Sequence, residues 1–390
     1  MKKIIVFVLL CTFLTACGTK NSSQAAVQEL KDCPVEHETE FGGVYIKIDI
    51  DSFNKLGFAY GDSVDVTFSN GYTMEDIPYY NGYYVDAGEP LLIAYPGYAY
   101  IKAAINYGED LWERAGLNNK YLMAQKTLWK TAALEGNSTA SVKMHEAGKY
   151  LDVQKARDIS YSDERKKYPS DEVFANFRVM AVSGMKENVL YRGATPCDNQ
   201  HNRAPYVDKQ LEKAGIHTIL NLCDTDAKIG GYIAKEGFDS PYFLSLYQSG
   251  KVVPIGLNMN YLSEDFAKKI ADGFTAISQM DAPYYIHCTE GKDRTGFICM
   301  VLEALAGASY EEIVNDYMVT YDNYYKITEE KDPARYKTIK EKNIDAMLQY
   351  IAGAEADIEK DALAPYAEEW LRHAGMSEEA LQTLITKIRK

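Results

Sequence analysis

The feature that most constrains the fold is a segment in which an apolar run passes through a short glycine-containing loop into a second apolar segment. Residues 282–288 are suited to a buried parallel strand, and residues 295–306 have the character of a helix. Between them, Cys288 and Arg294 are separated by five residues that include Gly291. This strand, loop and helix arrangement predicts an α/β domain.

The sequence from Asp171 to the C-terminus supports the same fold class. Residues 216–222 form another continuous apolar run, and residues 263–279 carry apolar side chains at helical spacing. Ser309 and Glu312 form a capping box that opens a further helix, and helical segments continue to the end of the chain. We therefore predict that residues 171–390 fold around a central, mainly parallel sheet flanked by helices.

The first half of the chain has short, β-like segments. Residues 44–50 and 63–68 alternate between apolar and polar side chains, and Asn70-Gly71 is a hairpin-turn signal. We predict a smaller, β-rich, barrel-like domain over residues 35–137. The charged and polar residues 138–170 are predicted to be a linker.

Tyrosine is abundant, with 31 residues in the chain and a cluster between Tyr45 and Tyr107. Tyrosine favours strands and half-buried surfaces, which agrees with a β-rich domain. The sharper alternative is an aromatic platform that binds a ligand.

The N-terminus has the pattern of a targeting segment. Residues 1–16 combine two lysines with an apolar stretch too short to span a bilayer, and Leu14 to Gly18 look like a bacterial lipobox. That resemblance implies cleavage before Cys17 and attachment of diacylglycerol to its thiol. Residues 17–34 would be a polar tether. We expect a protein held by lipid on the extracytoplasmic face of a bacterial cell membrane; the alternative is an ordinary secretory signal with a chance cysteine.

Charge and cysteine usage narrow the chemistry. The formal net charge of −14 argues against nucleic acid as a partner, so any affinity for an anion must be built locally.

The cysteines beyond the signal and Cys17 are odd in number and irregularly spaced, which is not the pattern of a disulfide framework. They are Cys33, Cys197, Cys223, Cys288 and Cys299. The sequence leaves open a disulfide between Cys223 and Cys288.

The loop between Cys288 and Arg294 has the features of an anion site. Amides at a helix N-terminus lack intrahelical acceptors and attract negative charge, and Gly291 permits a tight backbone path. The guanidinium of Arg294 can donate to two phosphate oxygens. The same positive surroundings favour a thiolate at Cys288, and Thr295 lies where its hydroxyl can donate to the sulfur.

This pattern is the Cys-x5-Arg-Thr signature, and it resembles the protein tyrosine phosphatase superfamily. The fuller Gly-Lys-Asp-Arg-Thr-Gly form is similar to a bacterial subgroup of tyrosine and lipid phosphatases. Residues 176–178, 189–194 and 214–222 look like upstream motifs of that subgroup, so the resemblance covers roughly residues 171–325. The chain has Asn221-Leu222-Cys223 where the subgroup often has Asp-Leu-Arg, which puts a role for this strand end in doubt.

The resemblance implies a covalent mechanism that needs no metal or cofactor. Cys288 would be the nucleophile and Arg294 would stabilise the transferred phosphoryl group. From its position in the loop, Asp293 is the first choice as general acid; the alternative is that it only pairs with Lys292 or orients Arg294. The superfamily more often takes its acid from a separate loop, for which Asp224 and Asp226 are the nearest candidates and Asp239 and Asp281 are weaker ones. His287 would orient the loop. The expected substrate-binding residues are Thr289, Glu290, Gly291, Lys292, Thr295 and Gly296.

A second resemblance concerns the N-terminal domain. Residues 62–117 look like the small C-terminal β-barrel of the S-adenosylmethionine hydroxide adenosyltransferase family, through Val64 to Phe68, Gly88 to Leu91 and Ala104 to Gly108. The catalytic domain of that family has no counterpart here, so the resemblance implies a fold and no activity.

Three functions follow as hypotheses. The first is a phosphatase that hydrolyses phosphotyrosine-type monoesters through a phosphocysteine intermediate. The second, suggested by Lys292, is a phosphoinositide or inositol phosphate phosphatase. The third is a lipid-anchored protein that binds a phosphorylated ligand without turnover.

Overall fold

The computed structural model describes residues 28–39, 42–107, 109–117, 138–258 and 260–390. The predicted signal peptide, the lipidated Cys17 and most of the tether lie outside the described residues. Within those ranges, no helix combines the length and the apolar character needed to cross a bilayer.

Seven strands of the N-terminal half close into a barrel in the order β1-β2-β6-β5-β4-β3-β7, and β7 pairs back onto β1. Alternate residues of β3, such as Val64 and Val66, are buried inside, so the predicted barrel-like domain is confirmed. The described strands are β1 (Glu29–Glu38), β2 (Gly43–Ile46), β3 (Ser63–Phe68), β4 (Thr73–Tyr80), β5 (Pro90–Ile93), β6 (Ile101–Ile105) and β7 (Thr139–Glu146). Among the described residues of this half, two short helices accompany the strands, α1 (Ile50–Lys55) and α2 (Leu111–Arg114).

The boundaries of this domain differ from the prediction at both ends. Strand β1 begins at Glu29, inside the predicted tether, because Cys33 is buried against the barrel core. The predicted linker contains strand β7, in which Ala140 and Val142 are buried while the neighbouring Lys143 is exposed. The polar side chains of β7 lie on its outer face, and they make the sequence of this strand resemble that of a linker.

One strand pair of the barrel requires a long connection. Strands β4 and β5 are parallel neighbours, so the chain between them has to return along the barrel. Residues 81–89 make this crossover; Gly88 N donates to the Asn106 carbonyl at 2.6 Å, and Asn106 Nδ2 donates to the Val85 carbonyl at 2.7 Å. The crossover carries Tyr84, whose ring packs against the outer faces of the strands beneath it.

A helix, α3 (Leu151–Arg157), joins the barrel to the second domain. Its Gln154 side chain is bonded to Asn81 at the start of the crossover, at 2.7 Å. The backbone carbonyl of Lys155 accepts from the Arg335 guanidinium of the second domain at 2.9 Å. The helix therefore contacts both domains.

The second domain has a five-stranded sheet in the order β11-β10-β12-β9-β8, in which β8 is antiparallel and the other strands are parallel. The predicted mainly parallel α/β sheet is thus confirmed. The strands are β8 (Arg178–Val179), β9 (Leu190–Gly193), β10 (Thr218–Asn221), β11 (Val252–Pro254) and β12 (Tyr284–His287). The helices described are α4 (Asp171–Phe174), α5 (Ala204–Ala214), α6 (Asp226–Ile233), α7 (Pro241–Gln248), α8 (Glu264–Ser278), α9 (Asp293–Ala306), α10 (Tyr310–Tyr325), α11 (Pro333–Ile339), α12 (Ala346–Ala352), α13 (Ala364–His373) and α14 (Glu378–Ile388).

Helices cover both faces of this sheet. Helices α8 and α9 pack on one face within the larger apolar core, and α5 and α7 pack on the other. Helix α9 is buried from Thr295 to Ala306, as its almost uniformly apolar sequence requires. The predicted capping box opens α10, because Ser309 Oγ accepts from Glu312 N while the Glu312 carboxylate accepts from Ser309 N. The carboxyl ends of the parallel strands meet at one edge of the sheet, where the loop after β12 lies.

Candidate active site

The loop from Cys288 to Lys292 leaves the end of β12 and turns directly into the N-terminus of α9. Gly291 has a φ of 72°, a conformation that favours glycine. A Cβ atom built on Gly291 would lie 2.3 Å from the carbonyl oxygen of Gly193 at the end of β9. The loop therefore packs against the neighbouring strand, backbone on backbone.

Two side chains hold the carbonyl groups at the middle of the loop. The side-chain amide of Asn176, which is fully buried, donates to the carbonyl oxygens of Glu290 and Gly291 at 3.3 and 3.2 Å. The Tyr324 hydroxyl donates to the Glu290 carbonyl at 2.8 Å. Both contacts come from elements that lie more than 30 residues from the loop in sequence.

Two further groups hold the flanking carbonyls. Arg192 donates to the Gly291 carbonyl at 3.2 Å, and the Thr195 amide donates to the Thr289 carbonyl at 3.1 Å. The Nδ1 atom of His287 lies 3.2 Å from the Cys288 carbonyl. Burial lowers the pKa of His287 to about 4, so the ring is neutral near pH 7 and donates from Nδ1. The loop-orienting role of His287 stays a prediction.

The outward bonding of these carbonyls decides where the amides point. In a trans peptide the N–H is opposite to the C=O, so loop amides face the side away from Asn176, Arg192 and Tyr324. Across the described residues, no acceptor is assigned to the N–H groups from Thr289 to Thr295. The loop thus presents a series of free amides at a helix N-terminus, which is an anion-binding arrangement.

A buried ion cluster lies behind the loop. The Asp316 carboxylate accepts from Arg178 Nε at 2.8 Å and also from Arg192. Burial alone would raise the pKa of Asp316, but the two guanidinium groups hold it well below its usual range. The cluster fixes Arg192 in the position from which it reaches the Gly291 carbonyl.

The reacting groups of the sequence prediction come together at this loop. Cys288 is 3% exposed at its start, and Arg294 lies in the first turn of α9. The Arg294 guanidinium donates to the Leu257 carbonyl at 3.0 Å and to Thr289 Oγ1 at 3.4 Å. Among the described residues, buried Arg294 Nε and Thr295 Oγ1 have no partner. Two side-chain donors thus remain available beside the free amides.

The lysine and glutamate of the loop are occupied by protein partners. Lys292 Nζ donates to the Tyr325 hydroxyl at 3.2 Å and lies 3.3 Å from the Glu290 carboxylate. Burial opposes the charge of Lys292, but the carboxylates of Asp293 and Glu290 keep its pKa above the ordinary value. Glu290 also accepts from the Tyr161 hydroxyl at 2.7 Å, so the segment after α3 is fastened to the loop.

The carboxylates considered as general acids lie in different surroundings. Asp293 is half-buried and, with Arg294, lines a cleft beside the loop. Asp224 is 2% exposed and is engaged by Asn221 Nδ2 at 3.1 Å and by the Cys223 thiol at 3.2 Å. Asp226 is exposed and accepts from the Tyr247 hydroxyl.

The two weaker candidates are exposed, and Asp281 precedes β12 rather than following it. Asp281 therefore lies at the opposite edge of the sheet from the loop. Asp239 lies between α6 and α7. The possible pairing of Cys223 with Cys288 is not present, since both thiols are free.

The cleft beside the loop has a volume of about 400 Å³ and lies between the two domains. Lys292, Asp293 and Arg294 form its floor, while Cys288 is not among the residues described as lining it. The barrel contributes residues that the phosphatase resemblance does not anticipate. They are Gly82, Tyr83, Tyr84, Val85, Asp86, Tyr95, Asn106 and Tyr107.

Sequence reasoning missed most of the residues that support the loop. Asn176 and Arg192 fall within the upstream motifs, where the sequence assigns them no role. No sequence pattern marks Tyr161, Thr195 or Tyr324. The sequence feature that points to the barrel residues of the cleft is the tyrosine cluster between Tyr45 and Tyr107, under its alternative interpretation as a ligand-binding platform.

Comparison with known proteins agrees with this geometry. Residues 249–390 match the tyrosine phosphatase family. No curated protein matches the chain. Among solved structures, the core catalytic domain of the PP-IP phosphatase SIW14 from S. cerevisiae is 19% identical, with 45% of this chain and 94% of that chain covered and a TM-score of 0.25. P. aeruginosa TpbA is 12% identical, with 59% and 98% covered and a TM-score of 0.23.

Neither TM-score is high enough to support an inference about the chain. The sequence match, in contrast, includes the whole segment from Cys288 to Gly296. The matched segment, residues 249–390, is therefore a tyrosine phosphatase family domain, and this domain gives the chain the character of a phosphoric monoester hydrolase.

Proposed function

We propose that this phosphatase hydrolyses phosphotyrosine-type monoesters through a phosphocysteine intermediate. The observation that carries the proposal is the set of free loop amides, held in place by carbonyl contacts from Asn176, Arg192 and Tyr324. Such an array binds three equatorial phosphoryl oxygens without further reorganisation.

In the proposed reaction, the Cys288 thiolate attacks phosphorus and the bond from phosphorus to the ester oxygen breaks. Asp293 gives its proton to the leaving oxygen, and water then cleaves the bond between sulfur and phosphorus. Arg294 and the loop amides stabilise the developing charge in both steps. The unpartnered hydroxyl of Thr295 supports its proposed role as a donor to the sulfur.

Asp293 is the preferred acid because it lines the cleft next to Arg294. Asp224 is already bonded to Asn221 and to the Cys223 thiol in a buried position, so protonating a leaving group would require it to give up these contacts. The proposal therefore keeps Asp224 as the alternative and Asp293 as the first choice.

An inositol phosphate substrate is the second candidate, because a lysine at position 292 suits a second phosphate group. The contacts of Lys292 favour the first candidate, since Glu290 already neutralises this ammonium group. Comparing turnover of a phosphotyrosine peptide with turnover of inositol phosphates separates the two.

We also propose that the protein is exported and attached to a bacterial membrane through lipid on Cys17. The support is the sequence pattern of residues 1–18. Cys17→Ala is expected to move the protein from the membrane fraction to the soluble fraction; membrane association unchanged by this substitution would contradict the anchor.

Hydrolysis of p-nitrophenyl phosphate by the wild type and matched variants tests the mechanism. Cys288→Ser is expected to abolish turnover while phosphate still binds, and Cys33→Ser, in the barrel core, serves as the thiol control. Asp293→Asn is expected to lower kcat and to remove the limb of the pH profile that an acid produces, whereas Asp224→Asn retains it. Turnover that survives in Cys288→Ser would refute the covalent mechanism, and binding without wild-type turnover would favour the ligand-binding alternative.

A further inference from the structure

The cleft beside the phosphate loop is formed by both domains. On the phosphatase side, its aromatic residues come from the loop before α8 and from helices α8, α9 and α10. They are Tyr261, Phe266, Phe297, Tyr317, Tyr321 and Tyr325. On the barrel side, Tyr84 and Tyr107 face the same space. A volume of about 400 Å³ is in the range of small-molecule sites.

The barrel places these two tyrosines through its topology. Tyr84 lies on the crossover that the parallel pair of β4 and β5 requires, and Tyr107 follows the end of β6. The Tyr84 ring rests against Gly82, since a Cβ built there would lie 2.5 Å from the ring. The bond from Asn106 to the Val85 carbonyl joins the two segments.

Tyr107 lines the cleft beside the loop in an uncommon backbone conformation. Its φ of 47° is uncommon for a residue with a large side chain, and such strain is concentrated at functional sites. Its side chain is 47% exposed and lines the cleft. Burial raises the pKa of Tyr107 to about 12, Asp293 adds to the rise and Arg294 opposes it.

The barrel is fixed relative to the phosphatase domain by polar contacts around the cleft. Arg157 at the end of α3 donates to Asn343, and the Asn343 amide donates to the Tyr321 hydroxyl at 2.8 Å. Lys342 lies 3.6 Å from the Asp86 carboxylate of the barrel crossover. Lys342 and Asn343 belong to a single π-helical turn, Lys340–Asp345, and such turns recur at functional sites.

We propose that the N-terminal barrel supplies one wall of the substrate site, in which Tyr84 and Tyr107 contact the aryl group of a phosphate monoester. This inference rests on the proposed phosphatase function and extends it, because it assigns part of substrate recognition to a domain outside the phosphatase fold. The phosphoryl group occupies the loop, and the ring of the substrate extends into the cleft.

The composition of the cleft favours an aryl group over a second phosphate. Ten aromatic side chains line the space, and rings stack on rings in offset or edge-on geometry. Two of the cleft cations are already paired, Lys292 with Glu290 and Lys342 with Asp86. A polyphosphorylated ligand would have to displace these carboxylates, whereas an aryl ring leaves them in place.

The test uses the full chain with Tyr84→Ala and Tyr107→Ala, and with Tyr100→Ala as the control. Tyr100 precedes β6, is half-buried like Tyr84, and does not line the described cleft. Each cleft variant is expected to raise KM for p-nitrophenyl phosphate about 3- to 10-fold, the scale of one lost aromatic contact. Turnover of glycerol 2-phosphate, which has no ring, should change less than about twofold because the loop is unaltered.

Phenylalanine variants distinguish the loss of the aromatic ring from the loss of the hydroxyl group and from misfolding. Tyr84→Phe and Tyr107→Phe should restore KM to near the wild-type value, since the stacking surface is kept. A KM unchanged in both alanine variants, with the wild type active, would overturn the barrel wall and leave the phosphatase function standing. Preferential turnover of inositol phosphates would overturn the aryl assignment.

A binding measurement keeps the two proposals distinguishable. In a Cys288→Ser background, phosphotyrosine binding is measured by calorimetry with and without Tyr107→Ala. Weakening of about 3- to 10-fold supports the barrel wall even if the wild type shows no turnover, a result that would itself reject the proposed function. Equal affinity in the two proteins would reject the barrel wall.

Discussion

The sharpest test of the loop geometry is Gly291→Ala. The added Cβ would lie 2.3 Å from the Gly193 carbonyl oxygen, whereas unstrained carbon to oxygen contacts are about 3.3 Å or longer. The loop must therefore move by about 1 Å, because the atom it meets is backbone in a central strand pair. A displacement of this size in a positioned catalytic group costs on the order of 100-fold in rate. The positive φ of 72° adds a conformational penalty of about 1 kcal/mol.

Gly250→Ala separates the contact from the conformational penalty. Gly250 has a similar φ of 68°, but nothing lies within 4 Å of a Cβ built there. We expect kcat/KM for p-nitrophenyl phosphate to fall by about 100-fold in Gly291→Ala and to stay within about twofold of wild type in Gly250→Ala. Both variants should lose some thermal stability through the positive φ, and Gly291→Ala should lose more because of its close contact with Gly193. A Gly291→Ala enzyme with near wild-type activity would refute the claim that backbone packing against Gly193 positions the loop.

Two further predictions concern the groups that support the loop. Asn176→Ala removes the donor to the Glu290 and Gly291 carbonyls. We expect kcat to fall at least about 10-fold and the free energy of unfolding to fall by about 1–3 kcal/mol. Steady-state kinetics and denaturant titration measure the two effects. For His287, burial lowers the pKa from about 6.5 to about 4, so the unfolded chain binds more protons between these values and unfolding free energy should fall as pH drops through this window. The difference between wild type and His287→Gln across pH 4 to 6.5 measures this contribution; parallel pH profiles would contradict it.

The sequence was most informative where the determinants are local. The apolar run before Cys288 and the amide-rich start of α9 lie within 20 residues of each other, and their order alone predicts a strand, an anion-binding loop and a helix. The helical spacing between Ser263 and Gln279 predicted α8 with its capping residues. These patterns reflect backbone bonding and burial on one element, so no tertiary information was needed.

The supporting contacts were not predictable in the same way. Asn176 and Tyr324 both donate to the Glu290 carbonyl, although 148 positions of sequence separate them, as their numbers show. Asparagine is common at helix ends and tyrosine on half-buried surfaces, so neither residue type marks a loop contact. Only the tertiary fold brings both side chains to the Glu290 carbonyl. Strand β7 escaped prediction for a related reason, since its polar outer face dominates its composition.

The tyrosine cluster shows where sequence interpretation ends. Some of its members, such as Tyr79, are fully buried in the barrel core, which is the structural role that composition favours. Tyr84 and Tyr107 belong to the same tyrosine-rich part of the sequence, but they line the cleft that Asp293 and Arg294 also line. Tyr84 is distinguished by the parallel pairing of β4 with β5, because the resulting crossover turns it away from the barrel core, whereas Tyr107 follows the end of β6. A residue type alone cannot report that pairing, so the two roles of tyrosine separate only once the topology of the barrel is known.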